Sequence, residues 1–363
     1  MTSRLLALTA LPLLLAGCPT DPCADAPCLR GEDLAQGLLS VRAPADDDVW
    51  VVGASPAPDA TGPAGPLAAH FDGTSWSGLD LSAWDGLELW WVHPMADEVV
   101  MVGSRGTILE HDRTSGTTEQ AVDAGEDALF FGVWGASPDD LWAVGEGPST
   151  DPNGDPIDKL PLIYRRQGGA WAPFVDPGVG PGLPNQVYFK VHGRSADDLW
   201  VVGTNGIAMH WDGTDLTVVP TDAETDTSTA PLLTVDASGD RPLAVGGAGS
   251  GLLLAFDGTD WVDETPEFQP PYNGVCTGPD GEAAAVGRSG SRALHDGSAW
   301  VTDLDAGIDA LTLQDYHACA YSPSGALWAV GGRIAQRPLS RGVLAYSGPG
   351  DIPALTSNPG GSE

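Results

Sequence analysis

Basic residues are scarce in this sequence. Its 363 residues include 16 lysines and arginines against 50 aspartates and glutamates, which gives a formal net charge of −34. Only two of the bases are lysines, Lys159 and Lys190. A chain this acidic is repelled by nucleic acid and by anionic lipid surfaces, so we expect no nucleic-acid partner.

The common catalytic signatures are missing as well. The sequence contains no G-x-S-x-G nucleophile elbow, no H-E-x-x-H zinc motif and no glycine loop of the kind that holds phosphates. Its acidic residues recur at repeated turn positions, which argues against a special catalytic pair. We therefore expect a protein that is not an enzyme and that needs no cofactor.

The apolar run at the N-terminus, Leu5–Leu15, is too short for a membrane-spanning helix. It follows a short basic segment and leads into Ala16-Gly17-Cys18. This order resembles a bacterial lipoprotein signal, whose final cysteine is lipidated and becomes the mature N-terminus. The resemblance implies a signal peptide over residues 1–17 and a lipid anchor on Cys18; an ordinary secretory signal is the alternative. We expect a Gram-negative cell envelope location, at the outer membrane or facing the periplasm.

Cysteine is also rare, with five residues in the chain. Four remain if Cys18 takes the lipid, and in an exported, oxidising setting cysteines pair by default. Cys23 and Cys28 lie in a proline-containing stretch without apolar periodicity and predict a local bridge within a tether over residues 18–37. A metal site is the weaker alternative, because no histidine or further cysteine lies nearby.

The stretch Tyr188–Pro220 is the clearest of seven copies of one unit. It alternates four short apolar runs with tight turns, and its Asp212-Gly213 turn is a strong hairpin signal. The copies align on a Val-Gly pair that ends the second run, with the glycines Gly53, Gly103, Gly145, Gly203, Gly246, Gly287 and Gly331. Such a repeat, at a period of about 40–50 residues, predicts an all-β fold: a seven-bladed β-propeller of four-stranded antiparallel blades over residues 38–350.

The tandem pattern S-x-D-D-L-W-x-V-G, followed by H-x-D-G-T-x-W, is best matched by Ser137–Gly145 and Ser195–Gly203. It resembles the β-propeller repeats of bacterial lipoproteins of the myxobacterial type, and the resemblance covers about Leu38 to Tyr346. It implies a secreted, lipid-anchored propeller. That family brings no defined catalytic residues with it.

Two kinds of repeated residue have a structural explanation. The aspartate of each hairpin turn can accept hydrogen bonds from the backbone two residues further on, and the glycine beside it adopts positive φ without strain. Tryptophans recur at two fixed places in the unit, where each can bury about 150–250 Å² between neighbouring blades. They are Trp50, Trp142, Trp200 and Trp328 in the second strand, and Trp76, Trp171, Trp261 and Trp300 after the hairpin turn.

The seventh unit lacks a clear fourth strand, so another segment must close the ring. Closure removes exposed sheet edges, and we expect the C-terminal residues Ile352–Leu355 to supply it. The segment Leu29–Leu34 ahead of the first unit is the alternative. Residues 351–363 thus predict a closing strand followed by a disordered tail.

Long loops concentrate on one face of the predicted ring. In a propeller the loops between the second and third strands share a face with the connections between blades, and the opposite face carries only tight turns. Function tends to lie on long loops over a rigid scaffold, which favours this face for binding. The long loops between second and third strands are Ala54–Leu67, Glu146–Leu160 and Gly332–Arg341.

One of these loops contains Asp151, Asn153 and Asp155, whose alternate spacing is that of calcium ligands. Pro156 stands where the turn glycine of an EF-hand loop belongs, and no glutamate closes the loop. The pattern therefore favours a solvated acidic turn, with a calcium site as the alternative.

One position of the innermost strand recurs beside the expected channel. Arg42, Trp134 and His192 occupy it and are candidates for a binding face. Cys276 and Cys319 fall at the same place on neighbouring blades and suggest a bridge. Equivalent residues point the same way around a ring, however, and a disulfide cannot span Cα atoms more than about 7 Å apart. The full set is Arg42, Val92, Trp134, His192, Val235, Cys276 and Cys319.

These observations together predict a monomeric, non-catalytic propeller that binds an envelope protein or glycan through its loop-rich face. One alternative is a carbohydrate-active propeller, sialidase-like or lyase-like. A sialidase-like activity would need an arginine cluster facing the channel, and Arg42, Arg194 and Arg288 are scattered candidates. A scaffold subunit of an envelope complex is the other alternative.

The lipid anchor gives a direct test. We expect Cys18→Ser to move the protein from the membrane pellet to the soluble fraction, because several acyl chains, each contributing ~0.8 kcal/mol per buried methylene, would be lost together. Fractionation followed by immunoblotting measures this. Cys23→Ser is the control and should stay in the pellet. A Cys18→Ser protein that remains membrane-bound would contradict lipidation.

Overall fold

The chain folds into a seven-bladed β-propeller, as the repeats predict. The computed structural model describes residues 23, 27–60, 64–120, 122–147, 161–175, 184–221, 230–267, 269–302 and 314–360. These residues form seven four-stranded antiparallel sheets, and each innermost strand packs against the innermost strand of the next sheet around a central channel. Within the described residues, no helix has the length and apolar character needed to cross a bilayer.

The strands are numbered in chain order. The first, β1 (Cys28–Leu34), belongs to the last blade. Blade one contains β2 (Leu38–Ala45), β3 (Asp48–Gly53), β4 (Ala68–Phe71) and β5 (Trp76–Gly78). Blade two contains β6 (Leu89–Pro94), β7 (Glu98–Gly103), β8 (Ile108–Asp112) and β9 (Gly116–Glu119). Blade three contains β10 (Leu129–Ser137), β11 (Asp140–Glu146), β12 (Pro161–Gln167) and β13 (Ala170–Val175).

The remaining blades follow the same order. Blade four contains β14 (Tyr188–Ser195), β15 (Asp198–Gly203), β16 (Ala208–Trp211) and β17 (Leu216–Val218). Blade five contains β18 (Leu232–Asp236), β19 (Leu243–Gly246), β20 (Leu252–Phe256) and β21 (Trp261–Asp263). Blade six contains β22 (Tyr272–Thr277), β23 (Ala283–Gly287), β24 (Arg292–His295) and β25 (Trp300–Thr302). Blade seven contains β26 (Asp315–Tyr321), β27 (Leu327–Arg333) and β28 (Ser340–Ser347), with β1 as its outermost strand. In the described part of the chain, short 3₁₀ turns also lie outside the strands at Ser82–Trp84, Thr204–Gly206 and Arg288–Gly290.

The closing strand comes from the N-terminal side, so the prediction that Ile352–Leu355 closes the ring is wrong. The strand β1 pairs with β28, with Cys28 opposite Tyr346 and Leu34 opposite Gly342. A strand that precedes blade one can complete blade seven because the two blades are neighbours in a closed ring. Residues 28–34 of the predicted tether are therefore part of the propeller.

The C-terminal segment packs outside β1 without joining a sheet. The Leu355 amide donates to the Arg30 carbonyl at 2.5 Å, and the Leu355 side chain is buried in the core between blades seven and one. Ser357 accepts a hydrogen bond from the Ala35 amide at 2.9 Å through its hydroxyl. The predicted disordered tail is thus wrong for residues 357–360; residues 361–363 lie outside the described part of the chain.

Each of the seven innermost strands contains a β-bulge near its start. In blade one, Leu38 and Ser40 oppose consecutive residues of β3, so Leu39 is the extra residue. The repeated Val-Gly explains this: a Cβ on Gly53 would lie 2.3 Å from the Gly37 carbonyl oxygen, and the equivalent clash recurs in all seven blades at 1.9–2.3 Å. The glycines allow this close backbone approach, and the bulge turns one side chain per blade in a new direction.

The hairpin turns have the predicted chemistry. A carboxylate oxygen of Asp72 accepts hydrogen bonds from the Thr74 and Ser75 amides at 2.9 and 2.8 Å. The same arrangement recurs at Asp112, Asp212, Asp257 and Asp296. These acids are therefore occupied in turn formation.

The predicted tryptophan packing is confirmed for most of the repeated positions. Trp142 lies 5.2 Å from Trp211 of the next blade, and Trp200 lies 5.0 Å from Trp261, measured between ring centroids. Trp76 meets Trp328 edge-on at 6.1 Å across the junction of blades one and seven. Large rings thus fill the wedges between blades.

Both predicted disulfides are present. Cys23 and Cys28 have Cα atoms 5.3 Å apart, and Cys276 and Cys319 have Cα atoms 5.7 Å apart. The second bridge forms because the two residues are not equivalent. Cys276 packs towards blade seven, whereas Cys319 is one strand position out of step with it and packs back towards blade six. Side chains on opposed sheet faces meet, and equivalent ones would not.

We expect the double variant Cys276→Ala with Cys319→Ala to lower the free energy of unfolding by about 4 kcal/mol, because the bridge joins residues 43 apart in sequence. The matched control is the pair Cys23→Ala with Cys28→Ala, which are 5 apart and should cost about 2 kcal/mol. Urea unfolding measures both. Equal losses, or none at the longer bridge, would contradict the prediction.

Candidate functional site

The bulge residues gather at the channel mouth on the loop-rich face. In chain order they are Leu39, Trp90, Phe131, Phe189, Leu233, Asn273 and His317. All except Leu39 line a cavity of about 250 Å³, which we call the aromatic cup. Ile334 and Ala335, from the long loop of blade seven, border it on one side. The opposite face, which carries the tight turns, we call the turn face.

The walls of the aromatic cup are preformed. Trp90 makes edge-on contacts with His317 at 5.4 Å and with Phe131 at 5.3 Å between ring centroids. Phe131 makes the same contact with Phe189 at 5.2 Å. These four side chains are only half-buried. Aromatic pairs in this geometry contribute about 0.5–1.5 kcal/mol beyond their buried area, so the exposed rings are held in place before any ligand arrives.

Lys190 forms the floor of the aromatic cup. Its side chain is 3% exposed, and Nζ donates to the Phe131 carbonyl at 2.9 Å. Nζ also lies 3.4 Å from the ring centroid of Trp91 in blade two. The lysine reaches past blade three because Gly132 stands there: a Cβ on Gly132 would lie 3.2 Å from Lys190 Cδ. Burial holds the pKa of Lys190 well below its usual range, and the Arg42 charge lowers it further.

The predicted binding-face residues lie deeper in the channel. Arg42, Trp134 and His192 sit three residues beyond the bulge, about 10 Å further towards the turn face. Arg42 lies over the Trp91 ring with Cζ 5.4 Å from its centroid. The structure thus brings the three residues to the channel wall but leaves them outside the aromatic cup.

The predicted register of the channel position is wrong at three places. Arg42 pairs with the residue three positions before the Val-Gly glycine of the second strand. The residues that make this pairing in blades two, five and seven are His93, Asp236 and Ala320. The predicted residues at these places were Val92, Val235 and Cys319. In blades two and five the connection between the first two strands is one residue shorter, as the pairs His93–Val100 and Asp236–Leu243 show. A one-residue error moves a side chain to the other face of the strand.

Two histidines and an aspartate follow one another around this part of the channel. His93 bonds the Gly135 carbonyl at 3.0 Å, and burial lowers its pKa to about 3. His192 accepts the Ala237 amide through Nδ1 at 3.0 Å, so its neutral form is selected, and burial lowers its pKa. Asp236 stays ionised and accepts from the Ser238 amide of its own blade at 2.8 Å and from the Thr277 amide of blade six at 3.1 Å. Each of the three side chains therefore bonds the backbone of the neighbouring blade.

A second cavity, of about 730 Å³, opens on the turn face beside blades five to seven. Its lining includes Trp300, whose Nε1 donates to Glu264 at 3.2 Å, and Arg241, which pairs with the same carboxylate at 2.5 Å. His295 and Tyr321 also line it. The turn face is therefore not featureless, although its charged groups are already paired.

Several predicted residues lie outside the described part of the chain. Cys18 is one, and the calcium-loop residues Asp151, Asn153 and Asp155 are the others. Within the described residues, no cluster of three or more histidine, cysteine or carboxylate side chains could hold a metal ion.

The aromatic cup was not predicted from the sequence, although a signal was present. Each of its six bulge residues directly follows a buried apolar residue near the start of an innermost strand, in Leu89-Trp90, Phe130-Phe131, Tyr188-Phe189, Leu232-Leu233, Tyr272-Asn273 and Tyr316-His317. Two large residues in succession break strand alternation, which points to a bulge. Aligning the seven units at this point would have placed these six side chains at the channel mouth.

No protein-family model matches the chain, and no curated protein matches its sequence. Solved structures match at the level of fold. YCF48 bound to D1 peptide has a TM-score of 0.63 at 13% identity, covering 92% of this chain and 100% of the other. Catalytically inactive virginiamycin B lyase from Staphylococcus aureus with quinupristin has a TM-score of 0.63 at 11% identity, and the match covers 88% of this chain and 99% of the lyase. The WD40 β-propeller domain of Doa1 has a TM-score of 0.55 at 10% identity, and the match covers 88% of this chain and 97% of that domain.

The low pKa of His93 predicts acid sensitivity. The unfolded chain binds a proton near pH 6.5, whereas the buried imidazole resists protonation down to about pH 3, so stability falls as pH drops through this window. The variant His93→Gln keeps a donor for the Gly135 carbonyl but cannot be protonated. Between pH 6.5 and pH 4.5, we expect its free energy of unfolding to fall by about 1–2 kcal/mol less than that of the parent. Urea unfolding at both pH values measures the difference. Parallel losses in the two proteins would contradict it.

Proposed function

We propose that this protein is a lipid-anchored binding module of the bacterial cell envelope, a non-catalytic propeller that holds its ligand in the aromatic cup of its loop-rich face. The observation that carries the proposal is the exposure of Trp90, Phe131 and Phe189 in one preformed cavity. Half-exposed rings cost free energy in water, and a ligand that covers them recovers it.

The size and lining of the aromatic cup favour a protein ligand over a glycan. A cavity of about 250 Å³ accepts one large side chain, and its walls are mostly apolar. Interfaces depend on a few aromatic or aliphatic anchors buried in such pockets. A sugar would need several polar partners directed at its hydroxyl groups. The polar side chains of the cup are Asn273, His317, Lys190, Arg288 and Asp315, and Asp315 already accepts the Ser289 amide at 2.8 Å.

Known propellers of this shape support a binding role. YCF48, one of the structural neighbours, was solved with a D1 peptide bound. The likeness to this chain is one of fold, and it supports the proposal because the scaffold can present a peptide-binding surface. The envelope location rests on the N-terminal sequence, and the two disulfides agree with an oxidising compartment.

A carbohydrate-active propeller is the second candidate. The observation in its favour is the turn-face cavity, where Trp300 donates to the Glu264 carboxylate and Tyr321 lines the same cavity. Aromatic rings beside carboxylates are typical of sugar sites. Glu264 already pairs with Arg241, however, which leaves it poorly placed as a general acid.

Panning a random heptapeptide library with free C-termini, alongside an array of envelope glycans, tests the two candidates. We expect peptide binders whose dissociation constant, measured by fluorescence polarisation, rises about 30-fold in Phe189→Ala, a loss of about 2 kcal/mol from removing a central anchor. The matched control is Trp300→Ala, an aromatic deletion in the turn-face cavity, which should leave binding unchanged. Binders that depend on Trp300 and ignore Phe189 would overturn the assignment to the cup.

A further inference from the structure

The aromatic cup contains two basic side chains that lack a carboxylate partner, in a strongly acidic protein. Most basic side chains of the described residues are neutralised by a carboxylate: Arg30, Arg113, Arg165, Arg166, Arg194, Arg241, Arg337 and Arg341. Lys190 at the floor and Arg288 at the edge of the cup form no ion pair with a carboxylate among the described residues. The cup lining also contains one acid, Asp315, whose Oδ1 accepts the Ser289 amide at 2.8 Å. Bases therefore outnumber acids in this cavity, although the chain has 50 acids and 16 bases, and this local excess favours an anionic ligand.

The contacts of Lys190 within the described residues include no negatively charged group. One of its three ammonium donors bonds the Phe131 carbonyl, and the ammonium faces the Trp91 ring. The guanidinium of the neighbouring Arg42 lies 5.4 Å from the same ring centroid, and its charge is partly balanced by the Asp236 carboxylate. Burying an ammonium without a counter-ion is costly, and an anionic ligand group offsets that cost with a charge-assisted hydrogen bond.

We propose that the aromatic cup binds the free C-terminus of a peptide or protein whose last residue is aromatic or large and aliphatic. This inference rests on the function proposed above and specifies its ligand. The terminal side chain packs among Trp90, Phe131 and Phe189, and the terminal carboxylate bonds the Lys190 ammonium. Arg288 at the edge attracts the same charge.

The shape of the channel favours a chain end over an internal segment. Lys190 crosses from blade four to the Trp91 ring of blade two, and Arg42 of blade one lies over the same ring. Further towards the turn face, the Trp134 ring lies 6.3 Å from that of His93 and 5.8 Å from that of His192. A peptide that enters the aromatic cup therefore cannot leave through the turn face. A chain end can enter and leave through the same opening. It also carries its side chain and its carboxylate on one residue, so both fit a cavity of about 250 Å³.

Two synthetic peptides test the inference: Gly-Gly-Ser-Gly-Ser-Phe with a free carboxylate, and the same peptide as its C-terminal amide. We expect fluorescence polarisation to show the acid binding about 30-fold more tightly than the amide. In Lys190→Met, which keeps the volume and removes the charge, we expect the two peptides to bind alike. The matched control is Arg105→Gln, which removes a cation whose closest partner is the Gly86 carbonyl; its discrimination should equal that of the parent.

The outcomes separate this inference from the proposed function. If both peptides bind equally and both weaken in Phe189→Ala, the cup is a binding site but the carboxylate inference is overturned. If neither peptide binds, and binders from the library ignore Phe189, both fail. Should Lys190→Met not fold, as judged by circular dichroism, Arg288→Gln replaces it: this exposed change should reduce the acid-to-amide ratio several-fold, and an unchanged ratio would overturn the inference.

Discussion

A close contact between a glycine and a backbone carbonyl organises every blade. The Val-Gly glycine of the second strand lies against the carbonyl that precedes the innermost strand, at a distance where any Cβ would clash. The approach goes with a bulge in the innermost strand, and the bulge rotates one residue out of the strand's alternation. Repeated seven times, it directs a set of side chains to one end of the channel. The aromatic cup is thus a product of the repeat, since any residue placed at the bulge faces the same mouth.

The repeated positions show which charged side chains have structural roles. The second strands of blades one and three begin with acids that bond the third strand: Asp48 with His70 at 2.8 Å, and Asp140 with Arg165 at 2.7 Å. The hairpin acids hold their own turns through backbone amides. Lys190 has neither of these roles, because it is buried and forms no ion pair with a carboxylate among the described residues. Lys190 is therefore conspicuous, although the linear sequence shows it only as one of two lysines.

Local chemistry made the architecture predictable. Blade number, turn acids, tryptophan wedges and the nearby Cys23–Cys28 bridge all depend on residues close together in sequence, where Asp-Gly turns and Val-Gly pairs have fixed consequences. Ring closure was not predictable in this way, because Leu29–Leu34 and Ile352–Leu355 both begin and end with an apolar residue and lie at opposite ends of the chain. The channel register failed where hairpins differ by one residue, as at His93. The aromatic cup depends on the bulge, which is invisible in an alignment anchored on the Val-Gly pairs alone.

The direction of the closing strand also determines which face of the propeller would lie towards a membrane. The strand β1 begins at Cys28, beside Tyr346 and the Gly348 amide that donates to the Cys23 carbonyl, and this end of blade seven lies at the turn face, next to Ala326. Four residues separate Cys23 from Cys18, enough to span at most about 18 Å. With the proposed lipid on Cys18, the turn face would rest against the bilayer and the aromatic cup would open away from it. A partner would then have to extend its chain end down from the aqueous side, and one embedded in the same leaflet could not reach the cup.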